Sequence, residues 1–247
     1  MIEKNMIPKK IHYCWFGGNP KSELLLKCIK SWEKYCPDYE IIEWNEQNYD
    51  VNKITYTRQA YKEGKYAFVS DYARLDIIYQ YGGIYLDTDV ELIKPIDDLL
   101  NCESYFACEL PGEVATGLGF ASICGNKFIK ENMKVYEASN YYDLKKNCVA
   151  ITTDLLTKKG LKYKNKIQVI DGILVFPPEY FCPVNMLTGK IIVTDKTFSI
   201  HHYGRDWGGK KQKIDFGKAK LMVHIYVDKI FGDGAYRKIL QFVNFKK

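Results

Sequence analysis

Four charged side chains, Asp71, Arg74, Asp87 and Asp89, fall within about twenty residues in the segment Ser70-Asp71-Tyr72-Ala73-Arg74-Leu75-Asp76-Ile77-Ile78-Tyr79-Gln80-Tyr81-Gly82-Gly83-Ile84-Tyr85-Leu86-Asp87-Thr88-Asp89-Val90. Asp71 and Arg74 are three apart, so on a helix they share a face. Asp87 and Asp89 are two apart, so an extended chain points both the same way, and Tyr85 has the same parity. Two carboxylates converging at a strand end make a site for a hard divalent cation, Mg²⁺ or Mn²⁺. Such a cation takes few protein ligands and completes its shell with water and phosphate oxygens. Beside the fixed charge of an arginine, it is suited to stabilising a phosphate leaving group. A D-x-D on its own carries little weight, because a chain this long contains about one by chance. The bland alternative is a solvated turn beside a helix-surface ion pair. The order of features adds the weight: an apolar helix, the Gly82-Gly83 break, a short apolar strand and then the D-x-D.

The elements that must hold these residues follow from spacing. Ser70 reads as an N-cap for a helix over 71–81 that stops at Gly82-Gly83. Ile84-Tyr85-Leu86 reads as a strand. Upstream, Lys10–Trp15 reads as a strand, 21–35 as an amphipathic helix and Glu40–Trp44 as a second strand, the opening of an α/β domain. Downstream, 104–109 and 114–123 look extended, 127–138 and 143–157 helical, and 167–170, 173–176 and 197–201 extended. Two amphipathic helical stretches are expected near 218–231 and 235–245. No internal repeat or interdomain linker stands out.

Composition limits the function classes. Of 247 residues, 47% are hydrophobic and 27% charged, the balance of a globular chain and not of a disordered or fibrous one. The formal net charge of +6 is unevenly spread. Residues 1–204 hold 25 basic and 26 acidic side chains, whereas 205–247 hold 11 basic and 4 acidic ones. This basic tail is either a solubilising face or a patch for an anionic partner. No helix-turn-helix or RNA-recognition motif accompanies it, so nucleic acid is not an expected partner. The N-terminus lacks the pattern of a signal peptide, and no apolar run reaches the length of a membrane span. None of the eight cysteines forms a C-x-x-C pair. The expectation is reduced thiols in a cytoplasmic protein.

The central segment resembles the signature of the DXD-containing sugar-nucleotide glycosyltransferases of glycosyltransferase family 32. Ile7-Pro8-Lys9-Lys10-Ile11-His12-Tyr13-Cys14-Trp15 is similar to that family's opening strand. Pro177-Pro178-Glu179-Tyr180-Phe181-Cys182-Pro183 resembles its aromatic–proline element, and Ser199-Ile200-His201-His202-Tyr203-Gly204-Arg205-Asp206-Trp207 its late His…Trp element. The likeness covers roughly residues 7–207. Two departures stand out: Asp154, where the family has Gly-Pro, and Arg205-Asp206 before Trp207, where it has Ser.

The resemblance implies a GT-A fold, an α/β, Rossmann-like mixed sheet flanked by helices over 1–209. A basic amphipathic helical extension over 210–247 would follow it. The resemblance also implies that Asp87 and Asp89 hold Mn²⁺ or Mg²⁺ on the donor diphosphate, with His201 as a third ligand. Asp71 and Arg74 would grip the donor sugar, Tyr85 would flank ribose or base, and Trp15 would stack on the base. Trp207 would belong to a loop that closes over the donor and excludes water. The implied activity is retaining transfer of a hexose from a nucleotide sugar, UDP favoured over GDP, to a glycan or lipid-linked acceptor of cell-surface polysaccharide. The protein would act in the cytoplasm or peripherally on the inner membrane face, with the basic tail on anionic lipid. The alternatives are a sugar-nucleotide-binding protein of weak activity and an enzyme that glycosylates a protein.

Overall fold

The computed structural model describes residues 6–204 except 186, 187 and 189, together with scattered positions between 223 and 239. Trp207 and the expected extension over 210–247 therefore lie outside the described residues, apart from those positions.

In chain order the elements are β1 (Lys10–Cys14), α1 (Glu23–Tyr35), β2 (Glu40–Trp44), α2 (Thr55–Lys62), α3 (Tyr66–Tyr81), β3 (Gly83–Tyr85) and β4 (Val90–Leu92). There follow β5 (Ser104–Leu110), β6 (Glu113–Val114), β7 (Phe120–Ser122), α4 (Lys127–Glu137), α5 (Cys148–Lys158), β8 (Gln168–Ile170), β9 (Ile173–Phe176), α6 (Pro178–Phe181) and β10 (Ser199–His201). The main sheet runs β2-β1-β3-β7-β5-β9-β8, with β6 on β5, and β10 pairs with β4 in a separate two-stranded sheet. β1 is parallel to β2 and β3, β5 is parallel to β9, and β7 runs antiparallel between β3 and β5. Strands β2, β1, β3, β5 and β9 thus share one direction. Their C-terminal ends form one rim, where open α/β sheets carry their ligands.

Strand alternation divides the core in two. Cys14, Tyr85, Phe106 and Cys108 face one cluster, which the α3 and α4 side chains Val69, Tyr72, Phe128 and Met133 complete. Tyr13, Ile84, Leu86, Tyr105 and Ala107 face a second cluster with Trp32 of α1 and Phe181 of α6.

The helix that carries Asp71 and Arg74 differs from expectation. It starts at Tyr66, so Ser70 is interior and not a cap, and its Oγ donates to the Tyr66 carbonyl at 3.1 Å. Residues 69–78 are all buried, so α3 has no polar face to mark its first turn. α1 begins at Glu23 because Ser22 caps it through Leu25 N, and α5 begins at Cys148 because Asn147 caps it through Ala150 N. The helix expected from 143 is thereby shortened at its start. α2 was not expected from spacing, and the stretch 114–123 is two short strands around a turn.

Candidate active site

The site lies where α3, the chain after β3, the 116–117 turn and β10 meet. Asp87, Thr88 and Asp89 are not extended as the spacing suggests. They form a turn in which Val90 N donates to the Asp87 carbonyl at 3.1 Å. Convergence of the two carboxylates comes from this turn and not from strand alternation.

Backbone contacts pin the turn on every side. Leu86 N donates to the His12 carbonyl at 3.1 Å, Asp87 N to the Gly117 carbonyl at 3.0 Å, and His202 N to the Asp89 carbonyl at 3.0 Å. The Trp32 indole donates to the Val90 carbonyl at 2.7 Å.

Arg74 organises the centre. One guanidinium nitrogen lies 3.3 Å from both Asp71 Oδ1 and Asp87 Oδ1. Another donates to Thr116 Oγ1 at 3.1 Å, and Nε donates to the Ser70 carbonyl at 3.0 Å. The guanidinium also sits 5.1 Å above the Tyr85 ring, whose hydroxyl donates to Asp87 Oδ1 at 3.0 Å. A planar fork with several donors fits such a cluster, where an ammonium would not.

Burial pushes the Asp71 carboxyl up to about 6 against the pull of Arg74. The Sγ of Cys148 lies 4.0 Å from Arg74. Burial pushes the thiol of Cys14, on the floor of the hollow, up to about 12.

His201 completes the group. Its Nε2 lies 3.0 Å from Asp89 Oδ1. Burial works to lower its pKa, but the hydrogen bond and charge of Asp89 outweigh that and raise it. One ligand atom each from Asp87, Asp89 and His201 lie within 4.8 Å of one another. Asp87 Oδ2 lies against Gly117, where a Cβ would approach it to 2.0 Å. Two carboxylate oxygens and one imidazole nitrogen form a donor set that suits Mn²⁺ better than the oxygen-loving Mg²⁺. The chain's own residues therefore fit the ion.

The remaining expected residues stand as follows. The Tyr85 ring is buried and reaches Arg74 and Asp87, so it supports the site from beneath and presents no face to a ribose or base. Trp15 is only 5% exposed, and its indole donates to the Asn19 carbonyl at 2.8 Å. A stacking platform needs an open face, and this ring is buried beside a hollow that Lys21 and Asn45 also line. His202 binds Glu91 at 2.7 Å, and His12 accepts from the Trp44 indole at 3.1 Å and bonds the Gly82 carbonyl at 3.0 Å. Both histidines are structural.

Thr116, Gly117 and Cys148 were not singled out from sequence. The only signal for the first two is the Thr116-Gly117-Leu118-Gly119 run. A larger hollow, about 430 Å³, opens at the opposite end of β5 and β9, and its Lys159 is already paired with Glu131 and Asp171.

The mixed α/β sheet that carries this rim has a GT-A type fold. Residues 22–106 match the family described as the glycosyltransferase sugar-binding region containing the DXD motif. Over 128 residues, half of this chain, it is 30% identical to inositol phosphoceramide mannosyltransferase 3 of Schizosaccharomyces pombe, covering 35% of that protein. Over 123 residues, 39% of this chain, it is 26% identical to subversion of eukaryotic traffic protein A of Legionella pneumophila, covering 19% of it. The chain thus spans about a third and a fifth of these relatives. The solved structure of the PaToxG glycosyltransferase shares the fold, with a TM-score of 0.50 at 18% identity over 63% of this chain and 70% of that one.

Proposed function

We propose that the chain is a Mn²⁺-dependent, retaining glycosyltransferase that moves a hexose from a nucleotide diphosphate sugar, UDP favoured, to a glycan or lipid-linked acceptor of a surface polysaccharide. The observation that carries this reading is the convergence of Asp87, Asp89 and His201 within 4.8 Å beside the buried Asp71–Arg74 pair. A bound divalent cation would neutralise charge that develops on the diphosphate as the sugar leaves. The protein's part is to hold that charge and the sugar in place. Asp87 and Asp89 fix the ligand geometry, Arg74 keeps Asp87 oriented and adds positive charge, and Asp71 orients sugar hydroxyls.

The membrane is the proposed workplace, reached by the basic tail. Among its described residues, Val223, Ile230, Phe231 and Ile239 are exposed, which supports apolar contact with a bilayer surface alongside the lysines.

A thermal-shift panel of UDP- and GDP-hexoses with and without Mn²⁺ tests the reading, since a ligand of the folded state raises the melting point by mass action. A UDP-sugar should stabilise the chain only with Mn²⁺, and release of UDP should fall at least about a hundredfold in Asp89→Ala. No shift with any nucleotide would overturn the proposal. A β-linked early product from an α-linked donor, seen by NMR, would overturn retention.

A further inference from the structure

A row of aromatic side chains outside the metal site leads from the Asp71–Arg74 pair to the surface. Phe68 stands three residues before Asp71 on α3, so the two share a face one turn apart. Ala67 beside it lines the same hollow as Asp87, Asp89 and His201. The Tyr141 ring meets Phe68 edge-on with centroids 5.3 Å apart, and Tyr142 meets Tyr141 at 5.5 Å. Tyr141 and Tyr142 belong to the α4–α5 connection, which runs on to Cys148, whose Sγ lies 4.0 Å from Arg74. Both segments that carry the row are thus tied to the Asp71–Arg74 pair.

The row is exposed yet firmly held. Phe68 is 37% exposed and Tyr142 52%. Beneath them Tyr141 packs on buried Tyr56 at 6.1 Å, and Tyr56 on buried Tyr136 at 5.1 Å. Tyr141 N donates to Gln59 Oε1 at 3.0 Å, and the Tyr142 hydroxyl to Glu63 Oε1 at 2.8 Å. Aromatic faces held open at a rim gain when something covers them.

The surroundings select the cover. The two lysines of the connection are committed, Lys145 to the Tyr142 carbonyl at 3.2 Å and Lys146 to Asp154 at 2.6 Å, so they offer an anion little. Glu63 bonds Tyr142, and Asn140 and Asp143 flank the two tyrosines in the chain, groups suited to hydroxyls. A pyranose carries C–H groups on its ring face, which meet the electron-rich face of an aromatic ring, and hydroxyls around its edge, which need such polar partners.

We propose that Phe68 and Tyr142 form an acceptor subsite, on which a sugar ring of the glycan acceptor stacks beside the donor sugar. The subsite rests on the transferase reading above.

The test uses the full chain with UDP- and GDP-hexoses, Mn²⁺ and methyl α- and β-hexosides as acceptors, read as nucleoside diphosphate release above the rate in water. In Phe68→Ala and Tyr142→Ala the hexoside KM should rise about 3- to 10-fold each, with kcat within about twofold. Tyr142→Phe keeps the ring and should hold KM within about twofold of the unaltered chain. Equal thermal shifts with Mn²⁺ and the nucleotide sugar in all variants establish that the fold and the donor site are intact. Equal hexoside KM in both alanine variants and the unaltered chain would overturn the subsite and leave the transferase standing, as would hexosides that do not raise the release. A dimer seen by sedimentation and dissociated by Phe68→Ala would give the aromatics to a second copy of the chain and also overturn the subsite. Absence of release with any donor would overturn the transferase reading and the subsite with it.

Discussion

A guanidinium buried between two carboxylates has given up its hydration, so each contact it makes must come from the protein. Arg74 makes them with Asp71, Asp87, Thr116 and the Ser70 carbonyl. Arg74→Lys keeps the charge but cannot reach all four. We expect turnover to fall about a hundredfold and stability by roughly 1–3 kcal/mol, read from initial rates and urea unfolding. His12 makes the opposite use of burial. It is fully buried and neutral between the Trp44 indole and the Gly82 carbonyl, and burial lowers its pKa to about 4 from 6.5. Between those values the unfolded chain binds the proton and the folded chain does not. The stability His12 contributes is therefore complete above pH 6.5 and is lost as pH falls toward 4, by about 3 kcal/mol at most. A melting-point series from pH 7.5 to 4 should show this loss, and the His12 ring proton should not titrate by NMR until the low end of that range.

At the scale of elements, the turn after β3 and the 116–117 turn depend on each other. Gly117 gives Asp87 Oδ2 the space a methyl group would fill. Its φ is not in the left-handed region, so alanine suits its backbone and the clash falls on Asp87. Gly117→Ala should weaken Mn²⁺ binding about tenfold or more while the metal-free melting point changes little; calorimetric titration reads the first effect.

The same elements show what sequence discloses. The order helix, Gly-Gly, strand, D-x-D was legible because local chemistry sets each step: Gly82 takes a positive φ of 63°, and Ile84 alternates with Tyr85 across the sheet. The true start of α3 was not legible, because a helix buried from residue 69 to 78 has no polar face and no capping side chain. The D-x-D convergence was foreseen for the wrong reason, a strand where a turn does the work. Thr116 and Cys148 were missed because they reach Arg74 from 42 and 74 residues away in sequence, a distance that no local pattern bridges. Trp15 looked like a platform because an aromatic after a strand cannot declare how deeply it is packed.

Over the whole molecule the charge separates into a nearly neutral body and a basic end of 11 cationic against 4 anionic side chains. Full-length protein should co-sediment with vesicles containing about 30% phosphatidylserine and not with neutral ones. The binding should weaken as salt rises and be reduced at least about tenfold by Lys210→Glu, Lys211→Glu and Lys213→Glu together, since each basic residue near the surface contributes about 1 kcal/mol.

The pairing of β10 with β4 bears on the order in which the molecule assembles. Asp71, Arg74, Asp87 and Asp89 belong to one short stretch of chain, whereas His201 arrives through a ladder whose neighbouring contact, His202 to Glu91, spans 111 residues. Contacts of long sequence separation carry a larger closure entropy and tend to form late. An ion shared by Asp89 and His201 would then stabilise an interaction absent from the folding transition state. Mn²⁺ should therefore slow unfolding by nearly its full equilibrium stabilisation and leave the refolding rate almost unchanged, a division that stopped-flow measurements in denaturant can read directly. A histidine that arrives late would make a bound cation a brake on unfolding and not a nucleus for folding.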